Sequence, residues 1–441
     1  MSHAGTAAPI LVLGTGTGEP LGQEARRALA SATLVVGARR HLEAAEPSAR
    51  TGRTGRAERA ERAERAERIV LGPLAPALDR IAEHAPGNGA RVVVLASGDP
   101  GFFGIVRALT ERFGAAALDV RPGAPSVAVA FARLGLAWDD AVVVSAHGRD
   151  PRTAVNVCLA HPKVAVLTGP GAGPAELAAG LAHGTEGRTL VVATALGDPE
   201  RERVERLTPA EALARDWPDP VSVVLCLDES RVLSPVRTVA GAAAGPGRWA
   251  LDEAEFEHRD SMITKFEVRA LALARLGPRT GDLVWDIGAG SGSVAVECAR
   301  LGAAAVAVEK TPDGIGRIRA NAAAHGVYVH AVHGSAPAVL DGLGEPDAVF
   351  IGGGGRELPA IVAACARRAR RSVVVALAAL DRVPEVRAAL AGAGLVPEGV
   401  LLQSSRLAPL PGEVTRLAAT NPVFLLWGTR PAVRASEGAT Q

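Results

Sequence analysis

The chain has 441 residues, enough for two or three domains, and a hydrophobic content of 48% supplies buried cores. A net charge of +1 gives no field to gather nucleic acid or a membrane surface, and 3% aromatic residues leave little for base stacking. No apolar run nears the roughly eighteen residues a membrane-spanning helix needs, and Cys158, Cys226, Cys298 and Cys365 form no Cys-x-x-Cys pair. Reduced thiols in the cytoplasm, without a metal, are the expectation, since MSHAGTAAPILVLG also lacks the charged head and long apolar stretch of a secretory signal.

From Pro9 onward short apolar runs alternate with helical stretches, the pattern of a mostly parallel sheet covered by helices. Residues 10–13 predict a strand that opens into Gly14-Thr15-Gly16-Thr17-Gly18; a helix over 21–30 and a strand over 34–36 follow, then Gly37-Ala38-Arg39-Arg40-His41. An Ala-Glu-Arg repeat over 56–68 interrupts this order. Its Glu and Arg residues fall four apart, but it has no apolar face, so a solvated, partly helical insertion fits better than a partner-binding arm. A strand over 91–96 leads into Ser97-Gly98-Asp99-Pro100-Gly101-Phe102-Phe103. Downstream come Pro122-Gly123-Ala124-Pro125-Ser126, Ser145-Ala146-His147-Gly148-Arg149, a strand over 164–168 and Thr194-Ala195-Leu196-Gly197. A loop histidine such as His147 is commonly a structural hydrogen-bonding group, whereas the planar fork of Arg149 suits a carboxylate.

Residues 230–247, rich in Ala, Gly, Pro and Val, read as a linker between domains 1–229 and 248–441. Beyond it, Thr264 and Glu267 have capping-box spacing, which predicts a helix from Lys265 with Val268, Leu271, Ala272 and Leu276 buried and a stop at Gly277-Pro278. Among 48 basic residues only Lys163, Lys265 and Lys310 are lysines. His258 and Lys265 flank that loop-to-helix junction. Next, Val284-Trp285-Asp286-Ile287 runs into Gly288-Ala289-Gly290-Ser291-Gly292, a helix over 293–300, and a second apolar run ending at Glu309, where an open α/β fold carries its ribose-binding acid. Dinucleotide sites space their third glycine one residue later. A carboxylate at Asp286 disfavours a pyrophosphate and suits an ammonium group, so a nicotinamide cofactor or a bare tightening turn are the weaker readings. Strands over 328–332, 347–351 and 372–377, Gly334-Ser335, and a last strand within 421–427 complete a seven-stranded sheet.

The Asp286 to Gly292 turn resembles motif I of the class I methyltransferases, which implies bound S-adenosylmethionine contacted by Asp286, Gly288, Gly290, Gly292, Glu309, Ser335 and Thr264. The N-terminal order of Gly-Asp-Pro, Pro-Gly-x-x-Ser and Ser-Ala-His-Gly-Arg is similar to the E-type tetrapyrrole methylases of cobalamin synthesis. That resemblance implies a two-lobed α/β fold, a second S-adenosylmethionine near Gly98, Asp99, Phe103, Ser126 and Ala195, and substrate contacts at His147 and Arg149. Glu-Phe-Glu-His, Ile-Thr-Lys-x-Glu-Val-Arg and Phe350-Ile351-Gly352-Gly353 look like the T-type methyltransferases, which implies catalytic roles for His258, Lys265 and Arg269 and a further cation at Arg406. Together the halves resemble the bifunctional precorrin-6B methyltransferases. The resemblance implies methylation at carbon-5 and carbon-15 with loss of the ring-C acetate as CO₂ to give precorrin-8X, a tetrapyrrole as the partner molecule, and a homo-oligomer. Ser335 and Val375 depart from that family's polar pattern. They support the alternative of a non-catalytic S-adenosylmethionine-binding scaffold, beside a third reading as a methyltransferase of RNA or another small molecule.

Overall fold

The computed structural model describes residues 9–18, 21–45, 66–84, 90–182, 187–218, 222–233, 240–241, 247–259 and 262–431. Two compact units emerge, one from residues 1–138, 191–206 and 221–225, the other from 139–190, 207–220 and 226–441. None of the described helices is long and apolar enough to cross a membrane.

The first sheet holds β1 (Ile10–Gly14), β2 (Leu34–Gly37), β3 (Glu67–Val70), β4 (Val92–Ala96) and β5 (Leu118–Arg121) in the order β3-β2-β4-β1-β5, with every pairing parallel. Its apolar runs do not alternate with polar residues because both faces are covered. Val12, Val36 and Val94 pack with Ile81 and Leu109 on one side; Leu13, Val35 and Leu95 pack with Leu42 on the other. The described end of the Ala-Glu-Arg repeat departs from the expected helix. Glu67 and Arg68, the end of the Ala-Glu-Arg repeat, are the first residues of strand β3 and not helix, and Glu67 pairs with Arg80. Residues 56–65 of the repeat lie outside the described residues.

The second sheet holds β6 (Val142–Ser145), β7 (Lys163–Leu167), β8 (Arg188–Thr194), β9 (Arg203–Leu207) and β10 (Ser222–Asp228) in the order β6-β7-β10-β8-β9. The third has seven strands, as expected: β11 (Leu283–Ile287), β12 (Ala304–Glu309), β13 (His330–His333), β14 (Ala348–Ile351), β15 (Ser372–Leu377), β16 (Val396–Leu402) and β19 (Val423–Thr429). Their order is β13-β12-β11-β14-β15-β19-β16, and only β19 runs antiparallel to its neighbours. Strands β17 (Ser405–Leu410) and β18 (Val414–Ala419) form a separate two-stranded ribbon that the sequence did not announce. Trp285, fully buried in β11, anchors the core between this sheet and the helix Leu358–Arg368, whose Arg368 guanidinium lies 4.8 Å from the indole ring centre.

The second compact unit takes residues from both sides of the expected linker over 230–247. The helix Arg152–Ala160 lies against the foot of the seven-stranded sheet, where its strands begin. Arg152 grips Asp347 with two nitrogens at 2.6 and 3.1 Å and the Glu345 carbonyl at 2.8 Å, and Asn156 donates to the Gly281 carbonyl at 2.9 Å. Asp347 also accepts the Leu283 N–H at 2.8 Å, so one carboxylate fixes both the start of β11 and the neighbouring helix.

Candidate functional site

In the C-terminal half the glycine turn follows β11 directly and leads into the helix Ser293–Arg300. Gly288, Gly290 and Gly292 all have positive φ, at 71°, 58° and 73°, which explains the spacing of three glycines. A Cβ at Gly292 would strike Ile318 at 2.9 Å, and one at Gly288 would press on Gly353 N at 3.1 Å, so these two glycines pack the loop. A Cβ at Gly290 would meet nothing within 4 Å: this peptide faces open space at the carboxyl end of the strands, where open α/β sheets hold their ligands. Glu309 ends β12 and is 8% exposed. One of its carboxylate oxygens accepts the Gly290 N–H at 3.0 Å and the other the Thr311 N–H and hydroxyl, both at 2.9 Å. Asp286 is not aimed at the loop opening. It is 2% exposed, and its Oδ2 accepts the Ala295 N–H at 3.0 Å inside the first turn of the following helix. Burial lifts its carboxyl to about 7, opposed by that N–H and helped by the Glu309 charge.

The junction before β11 is built differently from the expectation. The helix is Phe266–Leu276, its N-cap is Lys265, and Thr264 makes no capping hydrogen bond. A remote carboxylate replaces it: Glu253 Oε1 accepts the Phe266 N–H at 3.1 Å. Leu273 joins Val268, Ala272 and Leu276 in the buried stripe, while Leu271 is half-buried. Arg269 requires a correction. Its side chain is fully buried, it donates to the Thr264 and Leu251 carbonyls, and it lies 3.5 Å from the equally buried Glu297 and 4.8 Å from the Phe256 ring centre. A guanidinium so enclosed cannot meet a substrate carboxylate; it pins Leu251 and Thr264 from within. Arg406 is also committed, gripping Glu253 and Glu267 with bonds of 2.6–3.1 Å and tethering the ribbon to this junction. Burial works against the Glu253 charge, but Arg406 and the Phe266 N–H outweigh it and hold the carboxyl at about 2. His258 and Lys265, seven positions apart, are both half-buried, and the buried Nδ1 of His258 has no hydrogen-bond partner. Asn321 fastens this segment to the glycine loop, donating to the Glu257 and Ser291 carbonyls and accepting the Glu257 N–H. Ser335 is exposed just beyond β13.

In the N-terminal half three loops meet backbone to backbone at the ends of β1, β4 and β5. A Cβ at Gly14 would fall 2.4 Å from Gly123 N, and one at Gly123 would fall 2.6 Å from Gly16 N and Gly98 O. Gly16 and Gly98 exchange hydrogen bonds at 3.3 and 2.8 Å. Asp99 turns back to accept the Gly101 N–H at 2.7 Å. Phe103 sits at φ 54° and is 55% exposed, Ala195 sits at φ 46°, and Ser126 opens the helix Ser126–Leu134, its backbone nitrogen 3.7 Å from where a Cβ on Gly98 would stand. Phe103 and Ala195 are non-glycine residues held in a conformation that costs free energy. His147 and Arg149 are exposed on the loop after β6, with His147 Nδ1 3.1 Å from the Thr168 carbonyl, an acceptor that makes Nδ1 the protonated nitrogen. One polar cluster escaped the sequence analysis: Arg40, His41, Ser97 and Thr15 converge at the ends of β2, β4 and β1. The signal available was the Gly-Ala-Arg-Arg-His run directly after a strand.

A tetrapyrrole (corrin/porphyrin) methylase model matches residues 9–213, and a precorrin methyltransferase domain model matches 254–426. A Sinorhizobium protein named precorrin-6Y C(5,15)-methyltransferase [decarboxylating] is 40% identical over 344 residues, covering 76% of each chain. The chain belongs to that family. Another relative of the same name, from Mycobacterium tuberculosis H37Rv, is 35% identical over 75% of each chain. A probable cobalt-precorrin-6B C(15)-methyltransferase (decarboxylating) from Pyrobaculum calidifontis is 36% identical over 178 residues, which is 39% of this chain and 91% of that one. Membership of this methyltransferase family accounts for both halves: a two-lobed methylase followed by a class I, seven-stranded methyltransferase sheet.

Proposed function

We propose that the chain methylates one precorrin macrocycle at carbon-5 and carbon-15 and removes the ring-C acetate as CO₂, using one S-adenosylmethionine in each half. The observation that carries this reading is the presence of two separate glycine-floored sites on one chain. One is the Gly14–Gly98–Gly123 junction, the other the Gly288–Gly292 turn tied to Glu309. The residues fit such a ligand: Gly290 presents an open peptide edge, and Glu309 keeps lone pairs for ribose hydroxyls beyond the bonds it already accepts. In the N-terminal half Gly98, Asp99, Phe103, Ser126 and Ala195 would surround the ligand, and His147 and Arg149 would meet the substrate. The sulfonium methyl supplies the electrophile when bound, and an enamine-like macrocycle carbon is already nucleophilic. The protein therefore has to align the pair and keep the site dry.

His258 and Lys265, which flank the junction before β11, are the groups assigned to the acetate and its proton; Arg269 and Arg406 are bound to Leu251, Glu253 and Glu267. The homo-oligomer expectation finds support in the ribbon, whose outer face carries the paired Leu407 and Leu417 at 79% and 67% exposure. The direct test is incubation with precorrin-6B and excess S-adenosylmethionine, followed by mass spectrometry. Two methyl groups gained and one CO₂ lost is expected; a product with one methyl group and its carboxylates intact would defeat the reading. Lys265→Ala should block CO₂ loss and the carbon-15 methylation while sparing carbon-5.

A further inference from the structure

We infer that Ser97 and His41, set by Thr15 and Arg40, form the proton-accepting pair of the N-terminal half, a role that rests on the methylation reading above. The three adjacent parallel strands β2, β4 and β1 bring these residues together at their carboxyl ends, beside the Gly98 and Gly14–Gly16 loops. The hydrogen bonds fix a direction. The Thr15 hydroxyl donates to the Ala96 carbonyl at 3.0 Å, so its oxygen is an acceptor toward His41 Nδ1, 3.3 Å away. His41 therefore carries its proton on Nδ1, and Nε2 is the acceptor for the Ser97 hydroxyl at 2.7 Å. Arg40 donates through one guanidinium nitrogen to Ser97 Oγ at 2.8 Å, where it stabilises negative charge, and through Nε to His41 Nε2 at a longer 3.4 Å, so the shorter Ser97 bond is the one along which the proton moves. Arg40 and Ser97 are exposed while His41 is half-buried, so the hydroxyl faces solvent and the imidazole stands behind it. Burial, and after it the Arg40 charge, holds His41 below 6.5, so the imidazole is neutral at pH 7 and able to take a proton. Thr15 and Ser97, the partners from the neighbouring strand ends, are uncharged.

The chemistry requires such an acceptor. When a methyl group joins a macrocycle carbon that bears hydrogen, the S–CH₃ bond breaks, a C–CH₃ bond forms, and the carbon is left with four substituents beside a cationic π system. The C–H bond must then break and return its electron pair to the macrocycle, with S-adenosylhomocysteine as the other product. Ser97 Oγ accepts that proton as its own passes to His41 Nε2, and the Nδ1–H to Thr15 bond holds the ring in place.

The test uses the full chain, S-adenosylmethionine and the precorrin substrate, with carbon-5 and carbon-15 products weighed separately. His41→Ala should lower kcat for carbon-5 methylation by about 100-fold. It should leave S-adenosylmethionine affinity within about twofold by calorimetry and leave CO₂ loss unchanged. Ser97→Ala, an exposed and fold-neutral change, should lower the same kcat by about tenfold and move the acid limb of its pH profile. In the ligand-free protein, nitrogen NMR should report an Nδ1–H tautomer for His41 that titrates below pH 6.5. If wild type methylates carbon-5 and His41→Ala keeps kcat within about threefold with the same pH profile, this assignment is overturned and the functional reading stands. If wild type transfers no methyl group to carbon-5, the functional reading fails and this assignment with it.

Discussion

Replacing Arg269 by alanine removes a fully buried side chain that joins the segment before the glycine loop to the helices behind it. Arg269 and Glu297 are both fully buried, and truncating one partner of a buried pair costs about 3–5 kcal/mol. The components explain that size. The Leu251 and Thr264 carbonyls lose their donors, at roughly 1–3 kcal/mol for a buried unsatisfied group, and the contact with Phe256 adds about 1 kcal/mol more. Glu297 is not stranded, since it keeps Arg300 at 2.8 Å and still accepts the Leu251 N–H, which places the charge contribution at the low end. At a few degrees per kcal/mol, thermal unfolding of the C-terminal half should begin about 10 °C lower. Arg269→Lys should recover less than half of the loss, because an ammonium cannot reach two carbonyls and a carboxylate from one plane. Calorimetric scans of the three proteins decide the matter. A shift under about 2 °C for Arg269→Ala would refute the internal role and return the residue to the list of substrate cations.

Four further outcomes follow from the geometry. Asp286 binds a proton more tightly folded than unfolded, so its contribution to stability is full below 3.8 and disappears as pH rises through about 7; Asp286→Asn should flatten the stability profile across that window in urea titrations of the ligand-free protein, and parallel curves would contradict the assigned burial. Gly290→Ala places a methyl group in open space at φ 58° and should cost about 1–2 kcal/mol while weakening S-adenosylmethionine binding at one of two calorimetric sites; unchanged affinity at both would mean the ligand lies elsewhere. Arg152→Ala leaves the partly buried Asp347 without its fork and should lower the unfolding midpoint of the unit it shares with the seven-stranded sheet by several degrees, an effect Arg152→Lys only partly reverses. Deleting residues 58–64, which stops short of β3, should leave both methyl transfers near wild-type rates, whereas a deletion reaching Glu67 should destabilise the N-terminal sheet edge.

Backbone requirements were the most legible part of the sequence. Three glycines at a strand-to-helix turn mean positive φ or close approach, and Gly288, Gly290 and Gly292 satisfy one or both. The apolar runs of the parallel sheets were equally readable because strands covered on both faces leave no polar alternation. What the sequence concealed was which polar side chains turn inward. Thr264 and Glu267 have the spacing of a capping box, yet Glu253, eleven residues upstream of Thr264, supplies the carboxylate, and Glu267 is drawn to Arg406 instead. Arg269 reads as a substrate cation on a helix face until the fold encloses it with Glu297. His41 and Ser97, separated by 56 positions, become partners only because β2 and β4 are neighbours in the sheet.

Whether two independent sites act on one macrocycle is decided by product masses from two single-site variants of the whole chain. Gly98→Val disturbs the N-terminal glycine floor, where φ is 59°; Gly290→Val fills the open face of the C-terminal loop. Complementary products are expected from precorrin-6B: CO₂ loss and one methyl group at carbon-15 from the first variant, and one methyl group at carbon-5 with the acetate retained from the second. If either variant, still folded, loses both methylations or neither, the chain does not divide its chemistry between these two sites.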